Sequence, residues 1–290
     1  MTMAAAQRYL APSTLDEALR LSAHPGAVIL AGGTDLLPRW SRGLVQRPGT
    51  VVSLRCLPEL RGISRANGEI HVGAYTRLSE IALDPILLKA APVLAHAAGC
   101  IACPQVRNRA TIGGNLCNAS PAADTAVPLI LLDATCEIAS VKGTNLGRRE
   151  IAITDFFRGP GSTALAHGEI LTGVRFPPLP ERTFAAWRKF GTRPAMEIAV
   201  ASVGVAVTID GGIIKHARIG YGSVAPVPLR GWKVEAGLTG RSLTDETILR
   251  CQAAAGSEIV PITDVRAGEA YRREIVSVLL RRMLEEARLG

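Results

Sequence analysis

Hydrophobic and polar positions change period several times along the chain, and each change marks an element. Helical spacing from Thr14 to Ser22 predicts a helix with Ser13 as its cap, and Ala27-Val28-Ile29-Leu30 predicts a short buried strand. Leu36 to Trp40 opens a second helix, and Thr50-Val51-Val52-Ser53-Leu54 closes a small α/β unit. A second unit begins near Cys56. It contains a strand over Glu69 to Gly73, helices over Leu78 to Leu83 and Ile86 to Ala98, a helix near Val127, and strands near Glu137 and Ile170. Pro177-Pro178-Leu179-Pro180 breaks the pattern and marks a boundary. Beyond it, Thr183 to Phe190, Ile198 to Ile209 and Ile213 to Tyr221 predict three antiparallel strands, the last two joined through Asp210-Gly211-Gly212 as a hairpin. Apolar spacing near 3.6 over Leu229 to Leu238, Thr244 to Ala255 and Ala270 to Arg288 places helices on one face of that sheet. The expected fold class is α+β. The expected domains are 1–177, with subdomains of about 1–55 and 56–177, and 181–290.

Two glycine loops carry the chemical signal: Ala31-Gly32-Gly33-Thr34-Asp35 and Thr111-Ile112-Gly113-Gly114-Asn115. Glycine lacks a Cβ, so each pair can aim backbone N–H groups at an anion, and Thr and Asn add side-chain donors. Together they suggest a diphosphate cradle, while either one alone reads as an ordinary turn. The first loop lies between a strand and a helix, the arrangement anions prefer. After the second, small residues lead to Ser120 and Asp124. A carboxylate beyond the donors suits sugar or ribityl hydroxyls better than phosphate, because two anions repel. The competing reading makes Asp124 a helix N-terminal residue favoured by the macrodipole.

Composition narrows the classes. At 290 residues and 48% hydrophobic content the chain can bury a substantial core, and with 4% aromatics that core is mainly aliphatic. Few aromatics argue against a base-stacking surface. The 33 basic and 25 acidic residues give +8, but Lys and Arg are scattered rather than striped, so nucleic-acid binding is not expected. Arg272-Arg273 with Arg281-Arg282 lies beside Glu274, Glu285 and Glu286 and reads as a solvated helix face. Neither a signal peptide, judged on Met1 to Arg8, nor a membrane span is expected. Six dispersed cysteines in a chain of this size imply reduced thiols and a cytoplasmic protein. Cys100-Ile101-Ala102-Cys103 has metal-ligand spacing but reads as buried thiols. No Gly-x-Gly-x-x-Gly follows a strand, and neither Ser162 nor any histidine has the context of a nucleophile or an acid–base dyad.

The paired loops, with Pro104 to Arg109 before the second and Asn118 to Thr125 after it, closely resemble the FAD-binding subunit of the molybdenum hydroxylases, the xanthine dehydrogenase and carbon monoxide dehydrogenase family. The resemblance continues through Lys189 to Arg193, Glu197-Ile198-Ala199, Gly220 to Pro226, Asp264 to Ala267 and Tyr271-Arg272-Arg273. It implies a two-part FAD-binding domain of the PCMH type, like that of vanillyl-alcohol oxidase, followed by the family's α+β C-terminal domain. It also implies FAD pyrophosphate on Gly32, Gly33, Thr34, Gly113, Gly114 and Asn115, with Ala31 also among the cofactor-binding residues and Thr111, Ser120 and Asp124 near the ribityl and phosphate region. Lys189 and Arg193 match the family's basic pattern near the flavin ring. Asp35, beside the pyrophosphate, is expected to turn away and cap the helix at Leu36. The family usually has Asp where this chain has Glu197, and Lys189, Arg193 and Glu197 read equally as a solvated strand edge. The implied role is an electron-transfer subunit beside a large molybdopterin subunit and a small [2Fe-2S] subunit, in a dimer of heterotrimers. The alternative is a self-contained FAD reductase of the UDP-N-acetylenolpyruvoylglucosamine reductase type.

Overall fold

The structure, a computed structural model, describes residues 8–143, 145–193 and 196–289. Met1 to Gln7, on which the signal-peptide reading rests, lie outside them. The first unit holds β1 (Arg8–Leu10), α1 (Leu15–Ser22), β2 (Ala27–Leu30), α2 (Leu36–Ser41) and β3 (Thr50–Ser53), its three strands parallel in the order β1-β3-β2. Thr14 caps α1, its hydroxyl accepting from the Glu17 amide, while the expected cap Ser13 instead donates its own amide to Glu17 Oε2. β2 is half-buried rather than buried, since it borders a cleft.

The second unit runs through β4 (Ile63–Ala66), β5 (Glu69–Gly73), α3 (Leu78–Leu83), α4 (Pro85–Ala90), α5 (Pro92–Gly99), α6 (Pro104–Arg107), α7 (Ile112–Cys117) and α8 (Ala126–Leu131). It continues with β6 (Thr135–Lys142), β7 (Asn145–Ala152), α9 (Ile153–Phe156), a small β8–β9 ribbon (Phe157–Gly159, Ser162–Thr163) and β10 (Ile170–Phe176). The sheet order is β4-β5-β10-β6-β7, all antiparallel. The helix expected over Ile86 to Ala98 is two helices. Pro92 excludes helical geometry at Ala91, whose φ of −149° and ψ of 54° break the run. Ile70, Val72 and Val174 from the sheet pack against Leu94, Leu116, Leu129 and Ile130 from the helices to form the main core.

The third unit pairs β11 (Thr183–Phe190), β12 (Ala201–Asp210) and β13 (Ile213–Gly222) antiparallel, with two-residue β14 (Leu229–Arg230) at the edge, so the expected three-stranded sheet has a fourth strand. Gly211 and Gly212 make the β12–β13 turn with φ of 57° and 76°, the left-handed pair a tight hairpin needs. Leu229 and Arg230 are strand rather than helix; α10 (Trp232–Leu238) starts after them, followed by α11 (Asp245–Glu258) and α12 (Glu269–Leu289). These three helices share one apolar core with one face of the sheet. The other face carries Trp187 and Ala206, which pack on Val93, Ala97, Val127 and Leu131 of α5 and α8. A Cβ at Gly204 would lie 2.8 Å from Val127, so glycine lets the sheet close on α8. That contact presents β11 to the second unit.

Arg272 is not on a solvated face. It is buried, bonded to the carbonyls of Val200 and Ser223 and paired at 2.7 Å with Asp264. Arg281–Glu285 does form the expected exposed pair along α12.

Candidate functional site

The two glycine loops meet. A Cβ on Gly32 would stand 2.0 Å from the Arg109 carbonyl oxygen and 2.9 Å from Ala110 Cα, so the first loop lies against the segment that leads into the second. Gly33 has a φ of +76°, and a Cβ on Gly114 would lie 3.6 Å from Ala31 Cβ. A cleft of about 460 Å3 runs between them, lined by Ala31, Gly32, Gly33, Thr34 and Asp35 on one side and by Thr111, Gly113, Gly114 and Asn115 on the other.

Their amides differ in use. In the second loop four successive amides are spent on the protein: Ile112 on Thr76 O, Gly113 on Ala74 O, Gly114 on the Thr111 hydroxyl and Asn115 on Thr111 O. Thr111 is thus the cap of α7. In the first loop the N–H groups of Gly32, Gly33, Thr34 and Asp35 meet no protein acceptor among the described residues. The sequence suggested two equivalent anion-donor loops; in the structure only the first has a run of backbone N–H groups without a protein acceptor among the described residues. The first offers backbone donors and the second is a rigid wall, where Gly113 is required because a Cβ would lie 2.7 Å from Ala74 O.

Asp35 occupies the position before α2 but its carboxylate makes no cap bond; it pairs instead with Arg39 at 3.4 Å, so the capping expectation fails. The residue's own αR geometry, φ −104° and ψ −50°, departs from the extended conformation usual at a cap.

Asp124 and Lys189 come together from different units. Lys189 Nζ lies 2.7 Å from Asp124 Oδ2 and donates to Cys100 O at 3.0 Å; both side chains are nearly buried. Asp124 Oδ1 is buried with no partner. Burial pushes the Asp124 carboxyl above its usual range, with Lys189 opposing the shift. One residue on, the Thr125 hydroxyl donates to Asn115 Oδ1 at 2.6 Å and ties this turn to the second loop. Ser120 accepts from the Ala122 amide within its own turn. Arg193 is exposed, its amide on Glu197 Oε2 and its guanidinium on Met196 O, so neither reaches the cleft lining. Glu197 is not a free strand-edge charge, since its carboxylate packs where a Gly191 side chain would stand. It shares a second cavity of about 510 Å3 with His96, Cys100, Arg107, Trp187 and Lys189. Only the fold could reveal that cavity, because its residues come from α5, α6 and β11. No cluster of three or more potential metal ligands exists among the described residues.

Residues 4–179 match the family model described as the FAD binding domain in molybdopterin dehydrogenase, and residues 185–287 match the CO dehydrogenase flavoprotein C-terminal domain. The chain belongs to the FAD-binding medium subunits of the xanthine and carbon monoxide dehydrogenase family. It is 34% identical to the xanthine dehydrogenase FAD-binding subunit of Escherichia coli O157:H7, over 96% of this chain and 95% of that one. Identity to the glyceraldehyde dehydrogenase medium chain of Sulfolobus acidocaldarius is 33%, covering 96% and 97%. A solved chain of carbon monoxide dehydrogenase from Hydrogenophaga pseudoflava superposes with a TM-score of 0.92 at 32% identity, covering 97% and 96%. This medium subunit is therefore an oxidoreductase component with FAD as its cofactor. Its residues fit that group. The amides of Gly32 to Asp35, which have no protein acceptor among the described residues, line the cleft together with Gly113, Gly114 and Asn115, whereas Ser120, Asp124, Lys189 and Arg193 stand outside its lining. No helix among the described residues is long and apolar enough to cross a membrane.

Proposed function

We propose that this medium subunit holds FAD in the cleft between its glycine loops and relays electrons from [2Fe-2S] clusters of a small partner subunit to an external acceptor. A large molybdopterin subunit would carry the substrate chemistry, in a cytoplasmic dimer of heterotrimers. The observation that carries the reading is the run of free N–H groups from Gly32 to Asp35, opposite a second loop whose amides from Ile112 to Asn115 are already committed. Bound FAD supplies a centre able to accept electrons singly and release them in pairs.

The chain's own tasks are binding and orientation. Gly32, Gly33, Thr34 and Asp35 donate backbone hydrogen bonds to the diphosphate; Thr111, Gly113, Gly114 and Asn115 hold the opposite wall. Asp124 Oδ1 accepts from a hydroxyl or N–H of the cofactor, and Lys189 keeps the carboxylate oriented and places positive charge beside it. Ser120 shapes the turn leading to Asp124. Arg193 stands farther out, on the loop after β11. Residues 1–177, in subdomains of about 1–55 and 56–177, form the cofactor-binding part, and residues 181–290 close it from the Lys189 side.

Purification from the native host tests the proposal. The expected result is co-purification with a molybdenum polypeptide and an iron–sulfur polypeptide, and flavin reduction on mixing the complex with the substrate of the large subunit. A chain that purifies alone and reduces a small substrate by itself would contradict it and favour a self-contained reductase.

A further inference from the structure

Arg39 brings the one positive side chain to the cleft lining among the described residues, against two carboxylates, Asp35 and Glu169. Glu169 is committed to Arg149 at 2.6 Å, and Lys189 to Asp124. A diphosphate brings two negative charges into this cleft, and backbone dipoles supply only partial charges in return. Arg39 stands one helical turn beyond the free amides, on the same face of α2 as Asp35 four positions earlier. Its bond to Asp35 is a single 3.4 Å contact between two half-exposed side chains, the weakest class of ion pair. A guanidinium can bind a phosphate through two parallel N–H donors, a stronger contact.

We propose that Arg39 is the charge partner of the cofactor's diphosphate and that Asp35 holds it at the cleft mouth until the ligand takes it. The carboxylate beside the anion site thereby has a physical role. It keeps a mobile cation within reach of the loop and gives it up on binding. This inference rests on the FAD reading above and deepens it.

FAD titration of the apo full-length chain, followed by flavin fluorescence at several salt concentrations, tests it. Arg39→Gln is expected to weaken FAD binding about tenfold and to make its salt dependence shallower, with the thermal midpoint of the apo chain unchanged. Asp35→Asn keeps the backbone N–H, removes the competing carboxylate and is expected to bind FAD more tightly than the natural chain; binding no tighter overturns the holding role of Asp35. Arg42→Gln removes the same charge from an exposed position outside the cleft lining and is expected to change neither affinity nor salt dependence. Unchanged FAD affinity in Arg39→Gln, or an equal loss in Arg42→Gln, overturns the role of Arg39 while leaving the flavoprotein reading standing. Failure of the natural chain to take up FAD overturns both.

Discussion

Gly32→Ala forces the junction of the two loops apart. The added methyl would lie 2.0 Å from the Arg109 carbonyl oxygen, 2.7 Å from its carbon and 2.9 Å from Ala110 Cα. All three are backbone atoms, so no side-chain rotation relieves the clash. Ordinary contact needs a separation greater by more than about 1 Å, and overpacking of this kind costs about 1–3 kcal/mol. The relief has to come from moving the first loop away from Arg109, which misaligns the amides of Gly32 to Asp35. Losing one hydrogen bond to a charged ligand costs about 1.5–3 kcal/mol, or roughly 10- to 100-fold in Kd. Fluorescence titration of the apo chain with FAD and a thermal melt read the two effects separately. Gly49→Ala is the matched control, since nothing lies within 4 Å of a Cβ there and its backbone is not left-handed; no change is expected. Gly114→Ala should fall between, because its nearest neighbour is the Thr111 hydroxyl at 3.0 Å. A Gly32→Ala chain that binds FAD and melts like the natural one would refute the reasoning.

Breaking the Asp124–Lys189 pair from either side leaves a buried charge or donor unmatched. Asp124→Asn and Lys189→Met should each cost up to about 3–5 kcal/mol in denaturant unfolding, and the double variant less than the sum. For Asp264, burial acts to raise the carboxyl, but bonds from the Arg266 and Ala267 amides and from Arg272 outweigh it and the folded value is lowered. Its stabilisation is present above the unfolded carboxylate range and is lost as pH falls through the folded value. Asp264→Asn should therefore flatten the dependence of Tm on pH below about pH 4, and a natural chain already flat there would contradict this. Cys117 is exposed and lines the cleft, whereas Cys136 and Cys251 are buried. Burial pushes the Cys117 thiol up to about 12, so alkylation of the folded chain at raised pH should modify Cys117 ahead of those two, and FAD should slow the reaction at Cys117. An equal rate with and without FAD would place the cofactor elsewhere.

Local patterning made the strand, loop and helix at Ala27 to Ser41 readable, because a short aliphatic run, a glycine pair and a helical period follow one another without a tertiary requirement. The same holds for the Gly211-Gly212 hairpin. What failed depends on contacts between distant residues. Arg272 looks like its neighbours in the sequence, and only the approach of Asp264, Val200 and Ser223 buries it. Gly113 and Gly32 line the cleft, but the close approach of another backbone to each, Ala74 in one case and Arg109 in the other, leaves no mark in the sequence. The Ala91-Pro92 break was legible from proline alone and was masked by the strong apolar period around it. Lys189 and Asp124 are each singled out by the sequence, but their pairing required β11 to pack on α5 and α8.

The cradle is asymmetric: the first loop has open backbone donors, and in the second the amides from Ile112 to Asn115 are already in use. Amide hydrogen exchange of the full chain with and without FAD tests it most directly. The account predicts that Gly32, Gly33, Thr34 and Asp35 exchange fast in the apo chain and become protected by FAD, while Gly113, Gly114 and Asn115 are protected in both states. Protection confined to the second loop, or no change at the first, would contradict it.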